Sequence, residues 1–211
     1  MSERYRHSEQ WLERALAVIP LGTQTFSKSV TQYPHKVSPY FVKRAKGSHI
    51  WDVDGNEYLD FVNGLLSVML GYSDPYVTHA VQEQMTEGVL FTLPHTIEVE
   101  VAEKICEIVK SADAVRYGKN GSDASAGAIR VARAHTGRDR VAVCGYHGWQ
   151  DWYASQTSMN SGVPKEIKKF SHRFEYNNLK SLEKLLIKYK GNTACVILEP
   201  VLKIKPVCNK L

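Results

Sequence analysis

The first forty residues combine one helical pattern with an irregular segment. A periodic run of apolar residues ending at Ile19 predicts a first helix, with Ser8 as its N-cap and Pro20 as its stop. Residues 20–39 are rich in proline, glycine and hydroxyl side chains, which is typical of an extended connector.

Three alternating apolar runs follow, over residues 40–45, 48–53 and 57–62. Alternation of this kind predicts strands, because successive side chains of a strand point to opposite faces. The Asp54–Gly55 pair separates the last two runs, and an Asp-Gly pair in that position is a strong signal for a hairpin. The sequence therefore predicts a small antiparallel unit.

From residue 74 onward the chain alternates between helical patterns and short apolar runs. Asp74 followed by Pro75 is a typical helix start, and Gly88 is a typical stop. The other predicted helices begin near Thr96, cover 122–135 and lie between Asn178 and Gly191, and the predicted strands cover 114–117, 140–144 and 193–198.

This alternation predicts βαβ units and a largely parallel sheet, so the expected fold class is α/β. Ligands of such sheets bind beyond the carboxyl ends of the strands. A ligand is therefore expected at segments 118–123, 145–148 and 199–200.

Composition and charge exclude several classes of protein. The 211 residues carry 27 Lys+Arg against 22 Asp+Glu, and 43% are hydrophobic, as in a globular protein. No apolar run approaches the roughly 18–20 residues of a membrane span, and the first ten residues are too polar for a signal peptide, so a cytoplasmic location is expected.

The basic run at 165–169 lacks an aromatic stacking motif, which favours a solvated face over a nucleic-acid site. Four cysteines lie far apart with no CxxC pair, and three of them fall in apolar helix or strand patterns, which predicts buried reduced thiols: Cys106, Cys144, Cys195 and Cys208 are the four.

The first candidate site is the segment 117–124, which joins a predicted strand to a predicted helix. Gly121 allows a close backbone approach and Ser122 supplies a hydroxyl, while the first turn of the helix offers free amides to an anion. The alternative is that Ser122 or Asp123 only caps the helix, and the local residues leave both interpretations open. The glycine spacing matches neither a dinucleotide fingerprint nor a P-loop.

The second and third candidates follow the next strands. Tyr146 and His147, flanked by glycines, could stack on or bond to a planar ligand, or else form an aromatic plug beneath a loop. Glu199 follows an apolar strand, either as a structural acceptor or as a ligand contact. The sequence contains no GxSxG elbow, no HExxH motif and no His/Cys cluster, so serine hydrolysis and a zinc site find no support.

Taken in order, these segments resemble the class III aminotransferases, which are fold type I pyridoxal-phosphate enzymes, and especially their glutamate-1-semialdehyde aminomutase-like branch. The stretches that carry the resemblance are 47–61, 70–75, 98–106, 120–124, 128–138, 146–148 and 197–201. The resemblance implies pyridoxal 5′-phosphate as the cofactor, small-molecule amino donors and acceptors as substrates, and a homodimer.

The resemblance also implies roles for single residues. Gly121, Ser122 and Asp123 take the positions that hold the cofactor phosphate, although the family usually has Thr-Glu in place of Ser122-Asp123. Tyr146 matches the aromatic residue that stacks on the pyridine ring, with His147 beside it, and Glu199 matches a glutamate near that ring.

Substrate contacts are implied for the connector, where Thr25 contributes a polar group and Lys28 replaces a basic residue that binds a carboxylate. A lysine lacks the planar fork of an arginine, so carboxylate recognition is expected to be looser.

The family's two remaining groups are a lysine that forms a Schiff base with the cofactor and an aspartate that pairs with the pyridinium nitrogen. In the family both groups lie well C-terminal of the strand that precedes Glu199–Pro200. The lysines that follow this strand here, Lys203, Lys205 and Lys210, match no family motif. The sequence is therefore interpreted as the N-terminal half of an aminotransferase, with residues 1–62 in the small domain and 63–211 in an incomplete large domain.

Two functional hypotheses follow. In the first, the complete protein is a pyridoxal-phosphate aminotransferase or aminomutase, and residues 1–211 alone are inactive and are marginally stable or aggregate. Alternatively, the chain is a non-catalytic fragment that binds the cofactor or docks with a subunit. A nicotinamide oxidoreductase is disfavoured, because the glycine fingerprint is missing.

Overall fold

A computed structural model describes residues 3–34 and 36–202 of the chain. The chain forms two compact units, one over residues 1–95 and the other from Thr96 onward. The division at residue 62 that the sequence suggested concerns the domains of a complete enzyme, and it stays a prediction.

The first unit is built on a three-stranded antiparallel sheet in the order β1-β2-β3. Strand β1 spans Val42–Lys46, β2 spans His49–Asp52 and β3 spans Glu57–Leu59. Gly55 has φ +89 in the turn between β2 and β3, a conformation that favours glycine. The predicted antiparallel unit and its Asp-Gly hairpin are confirmed.

The helices of this unit are α1 over Arg6–Val18, a short α2 over Asn63–Leu66 and α3 over Pro75–Glu87. Single 3₁₀ turns cover Glu3–Tyr5, Pro20–Gly22 and Phe26–Lys28. Helix α3 starts as predicted, because the Asp74 side chain accepts a hydrogen bond from the amide of Val77 at 3.0 Å, and it stops at Gly88.

The predicted N-cap of the first helix is wrong. Helix α1 begins at Arg6, and Ser8 is a buried residue within its first turn. The cap comes instead from Asp54 of the hairpin, whose two carboxylate oxygens accept the amides of His7 at 2.6 Å and Ser8 at 2.9 Å. Asp54 therefore satisfies two of the orphan donors of α1 and places a negative charge at its positive end.

We expect Asp54→Ala to speed amide hydrogen exchange in α1 by about 5- to 30-fold at neutral pH, the effect of losing an N-cap worth about 1–2 kcal/mol. Burial alone would raise the pKa of Asp54, but hydrogen bonds from Ser8 and His7 outweigh it and hold that pKa below its ordinary value of 3.8. The contribution is therefore complete above that ordinary value and is lost as the pH falls through the lowered pKa. The measurement is exchange in the parent and the variant at several pH values. Alanine at the exposed Asp113 should change nothing, and equal exchange in all three proteins would exclude the cap.

The second unit alternates helices with parallel strands. Its helices are α4 over Thr96–Ile108, α5 over Gly121–Thr136, α6 over Asp151–Ala154 and α7 over Leu179–Lys188, with one 3₁₀ turn over Ile167–Lys169. Its strands are β4 over Arg140–Cys144, β5 over Ser171–Arg173 and β6 over Thr193–Leu198. They pair in the order β5-β4-β6, all parallel, so the predicted α/β fold class is confirmed.

The core of this unit lies beside the central strand. Val141 and Val143 of β4 are completely buried and pack with Ile129 of α5 and with Trp152 and Tyr153 of α6. A central parallel strand is covered on both faces, which explains why β4 is apolar throughout its middle. This packing fixes the start of α5 against the carboxyl end of the sheet.

One predicted strand is not formed. Residues 114–117 join neither sheet among the described residues, although Val115 and Tyr117 give the segment a strand-like composition. A strand is defined by its ladder partner, and none of the described strands pairs with this segment. The short β5 and α6 were not predicted, because an element of three or four residues is too short to produce a recognisable hydrophobic period.

Several apolar side chains on helices α3 and α4 are exposed. In α3, Val81 is 53% and Met85 is 64% exposed, and in α4, Ile108 is 67% exposed. Apolar faces of this extent mark surfaces that pack against further protein. Within the described residues, no helix combines the length and apolar character that crossing a bilayer requires.

Candidate functional site

The carboxyl ends of β4 and β6 lie side by side. Cys144 is paired with Leu198 in the ladder, and the amide of Glu199 donates to the carbonyl of Cys144 at 3.2 Å. Gly145 and Glu199 therefore leave the sheet at the same edge, as expected for the candidate segments that follow these strands.

The start of α5 offers unsatisfied donors. The side-chain oxygen of Asn120 accepts a hydrogen bond from the amide of Asp123 at 3.0 Å. The backbone carbonyl of Asn120 accepts one from the amide of Ala124 at 3.1 Å. Asn120 is thus the cap, and neither Ser122 nor Asp123 has that role. Among the described residues, the amides of Gly121 and Ser122 have no acceptor, and a Cβ added at Gly121 would meet no atom within 4 Å.

The loop after β4 is packed directly onto this helix start. A Cβ added at Gly148 would lie 2.8 Å from Cβ and 3.0 Å from Cα of Ser122. The Ser125 hydroxyl lies 2.9 Å from the carbonyl of His147, which ties α5 to the loop. The structure therefore brings together two of the segments that the sequence singled out.

A second contact joins this loop to the end of α5's first turn. Nε2 of Gln150 donates to Oδ1 of Asp123 at 3.4 Å, and Asp123 is otherwise exposed. This contact is long, so the Asp123 carboxylate remains available to solvent or to a ligand.

Tyr146 is held by its backbone and leaves its ring open. The amide of Tyr146 donates to Oε2 of Glu199 at 2.8 Å, and the residue is 67% exposed. The Tyr146 ring meets the Tyr153 ring edge-on, with 5.7 Å between their centres. An exposed ring held in this way is not a plug beneath a loop, and one face can receive a flat ligand.

His147 has a different environment. Its Nε2 lies 2.8 Å from the carbonyl of Cys144, and because a carbonyl only accepts, Nε2 carries the proton. The ring packs against Trp152 and edge-on against Tyr153. His147 therefore anchors the loop to the end of β4, with Nδ1 as its remaining acceptor.

Tyr153 supports the loop from below, and sequence reasoning missed it. Its hydroxyl donates to the carbonyl of Gly145 at 2.9 Å. Burial raises the pKa of Tyr153, and the Glu199 carboxylate adds to this, so the phenol stays protonated and keeps donating. Burial also raises the pKa of the Cys144 thiol. The sequence signal for Tyr153 was the run of aromatic residues after Gly148, but such a run has no fixed role by itself.

The remaining predicted residues lie in other places. Thr25 and Lys28 are exposed in the first unit, where the amide of Lys28 donates to the carbonyl of Thr25 at 2.9 Å. Lys203, Lys205 and Lys210 lie outside the described residues.

The arrangement in the second unit suits a ligand with an anionic group and a flat ring. Two free amides, the Ser122 hydroxyl and the positive end of a 16-residue helix favour an anion at the start of α5. The Tyr146 ring and the Glu199 carboxylate lie on the neighbouring loop and strand end, so a planar group can be covered on one face.

Comparison with known proteins identifies a family and several relatives. The sequence profile of the Aminotransferase class-III family matches residues 31–203. Glutamate-1-semialdehyde 2,1-aminomutase of Laribacter hongkongensis is 34% identical over 206 residues, which cover 92% of this chain and 48% of that protein.

Solved structures agree with the sequence match. An omega-transaminase from Sphaerobacter thermophilus superposes with a TM-score of 0.82 at 29% identity, over 93% of this chain and 48% of that one. The FumI protein of Sphingopyxis sp. MTA144, determined with PLP, gives a TM-score of 0.83 at 32% identity, over 90% of this chain and 45% of that one.

The chain spans about half the length of the curated relatives it matches. The family match nevertheless covers most of the chain and includes both the start of α5 and the ends of β4 and β6. On these grounds the chain belongs to the class III aminotransferase family.

Proposed function

We propose that the complete protein is a pyridoxal-phosphate-dependent aminotransferase or 2,1-aminomutase, and that this chain supplies the phosphate end and one ring face of its cofactor site. The proposal rests on the amides of Gly121 and Ser122, which have no acceptor among the described residues, at a helix start packed against the loop that presents Tyr146.

The residues fit the cofactor in their chemistry. A phosphate monoester needs several donors and a positive potential, and the start of α5 provides two amides, a hydroxyl and the helix dipole. Asn120 satisfies the amides of Asp123 and Ala124, so the cradle is limited to the two preceding amides.

When bound, pyridoxal phosphate supplies an aldehyde that bonds to amines and a ring that accepts electrons. The residues of this chain hold and orient it: the start of α5 binds the phosphate, and the Tyr146 ring covers one face of the pyridine. Glu199 keeps the Tyr146 backbone in place by accepting a hydrogen bond from its amide. His147 and Tyr153 fix the loop to the sheet.

For Thr25 and Lys28 of the first unit, we propose contacts to a small amino donor or acceptor, with Lys28 binding a carboxylate of that substrate. We also propose a homodimer and a cytoplasmic location. Support for a partner surface comes from strongly exposed apolar residues in the first unit, including Phe61 at 89% and Leu90 at 93% exposure.

The test is a titration of the complete protein with pyridoxal phosphate. We expect saturable binding that weakens by about tenfold in Ser122→Ala, because one charge-assisted hydrogen bond is lost. Alanine at Ser161, an exposed loop residue, serves as the matched control and should leave the affinity unchanged. Absence of saturable binding, or equal affinity in all three proteins, would contradict the proposal.

A separate titration, of the 211-residue chain itself with pyridoxal phosphate, distinguishes the two hypotheses for that chain. Binding that leaves no adduct after borohydride reduction and peptide mapping, with no transamination, supports a chain that holds the cofactor without performing the chemistry. A stoichiometric adduct on one lysine together with measurable transamination would show that the chain is active by itself.

A further inference from the structure

A second concave surface lies on the second unit, along α7 and the outer strand β5. The cavity has a volume of about 680 Å³, within the usual range for small-molecule sites. The cationic side chains in its lining are Arg173, Lys180, Lys184 and Lys188. None of them belongs to the site around α5 described above.

Three of these cations form a stripe on one face of α7. Lys180, Lys184 and Lys188 are spaced four residues apart, which places them on the same side of a helix. Like charges at this spacing destabilise an isolated helix. With a rise of 1.5 Å per residue, the Cα atoms of the first and third lysines are about 12 Å apart, so their charges suit an extended ligand.

The four cations have no carboxylate partner in the described part of the chain. Across residues 3–34 and 36–202, none of their charged groups lies within 4.0 Å of a carboxylate. Glu175 also lines the cavity and brings one negative charge, and its carboxylate accepts a hydrogen bond from Nδ2 of Asn178 at 2.6 Å. The lining therefore carries a clear excess of positive charge.

One wall of the cavity is formed by two stacked rings. The His172 and Tyr189 rings lie 4.2 Å apart and nearly parallel, and the Arg140 guanidinium lies 4.4 Å from the centre of the Tyr189 ring. Arg140 also donates to Nε2 of His172 at 2.9 Å. This stack adds a fifth positive charge behind the wall, and it leaves the aromatic rings engaged with each other rather than with nucleobases.

We propose that this cavity binds a small polyanion that carries two or more phosphate groups. Lysine ammonium groups bind phosphate as point charges, and a row of them matches successive charges along a ligand. Single-stranded nucleic acid is disfavoured, because its binding sites present free aromatic faces on which bases stack. The site is independent of the cofactor site and of the reaction proposed above.

The experiment is calorimetric titration of the complete protein with inorganic tripolyphosphate at about 0.1 M salt, where the Debye length is about 10 Å. We expect saturable binding that weakens by at least about tenfold in Lys180→Glu/Lys184→Glu. Lys43→Glu/Lys46→Glu, on exposed β1, changes the net charge equally and should retain the parent affinity. Circular dichroism of each variant checks folding, and Lys180→Gln/Lys184→Gln repeats the test without introducing negative charge.

Two further arms locate the binding. Ser122→Asp places a negative charge at the start of α5 and should leave tripolyphosphate binding unchanged. The proposal is wrong if no saturable binding occurs, if the β1 variant loses as much affinity as the α7 variant, or if Ser122→Asp abolishes binding. It is also wrong if a single-stranded oligonucleotide binds the α7 lysines more tightly than tripolyphosphate does.

Discussion

Gly148→Ala is expected to weaken pyridoxal-phosphate binding by about 100-fold or more, which corresponds to about 2.7 kcal/mol. The added Cβ would lie 2.8 Å from Cβ and 3.0 Å from Cα of Ser122, so it would push the loop away from the start of α5. Gly148 also has φ +101, which an alanine adopts only with strain. The measurement is the cofactor dissociation constant of the complete protein.

Gly191→Ala is the matched control. Gly191 has a similar positive φ of +78, but a Cβ there would meet no described atom within 4 Å. The two variants therefore share the backbone strain, and only Gly148→Ala adds the clash with Ser122. If both variants bound the cofactor as tightly as the parent, the close packing of loop and helix would have no part in binding.

Ile129→Ala is expected to lower the free energy of unfolding by about 2–5 kcal/mol, the usual cost of emptying a well-packed position. Ile129 is 3% exposed and packs against Val141 and Val143 of the central strand. Its loss loosens α5 from the sheet, and we expect the cofactor affinity to fall as well.

The control for this variant lies on the same helix. Val131 is 68% exposed, so Val131→Ala should change the free energy of unfolding by less than about 0.5 kcal/mol. Urea unfolding followed by circular dichroism measures the free energy of unfolding of both variants. Equal effects of the two substitutions would mean that α5 is not held by the apolar core beside β4.

Features with a local cause were predictable from the sequence. The start of α3 was correct because Asp74 caps its own helix, and the hairpin was correct because Asp54–Gly55 forms its own turn. The strand 140–144 was correct because its continuous apolar run is buried on both faces. In each case, the residues of the segment itself carry the signal.

Features with a distant cause were not predictable. The cap of α1 comes from Asp54, more than 45 residues away, so the nearby Ser8 gave a false signal. The segment 114–117 has the composition of a strand, but none of the described strands pairs with it. Spacing alone does not reveal partners of either kind.

The candidate site shows the same division. Gly121 and Ser122 stood out through their place before a helix, but the capping role of Asn120, which leaves their amides free, emerged only from the structure. The glycine at 148 was visible in the sequence, while its contact with Ser122 was not. Tyr153 was missed because an aromatic residue in a loop has many possible roles.

The central claim is that the Gly121 and Ser122 amides receive the cofactor phosphate. Amide NMR of the ¹⁵N-labelled complete protein tests it directly, by comparing additions of pyridoxal phosphate and of pyridoxal, which lacks the phosphate. We predict that both amide signals move to lower field with pyridoxal phosphate and not with pyridoxal. Saturable binding of pyridoxal phosphate that leaves these two signals in place would contradict the account.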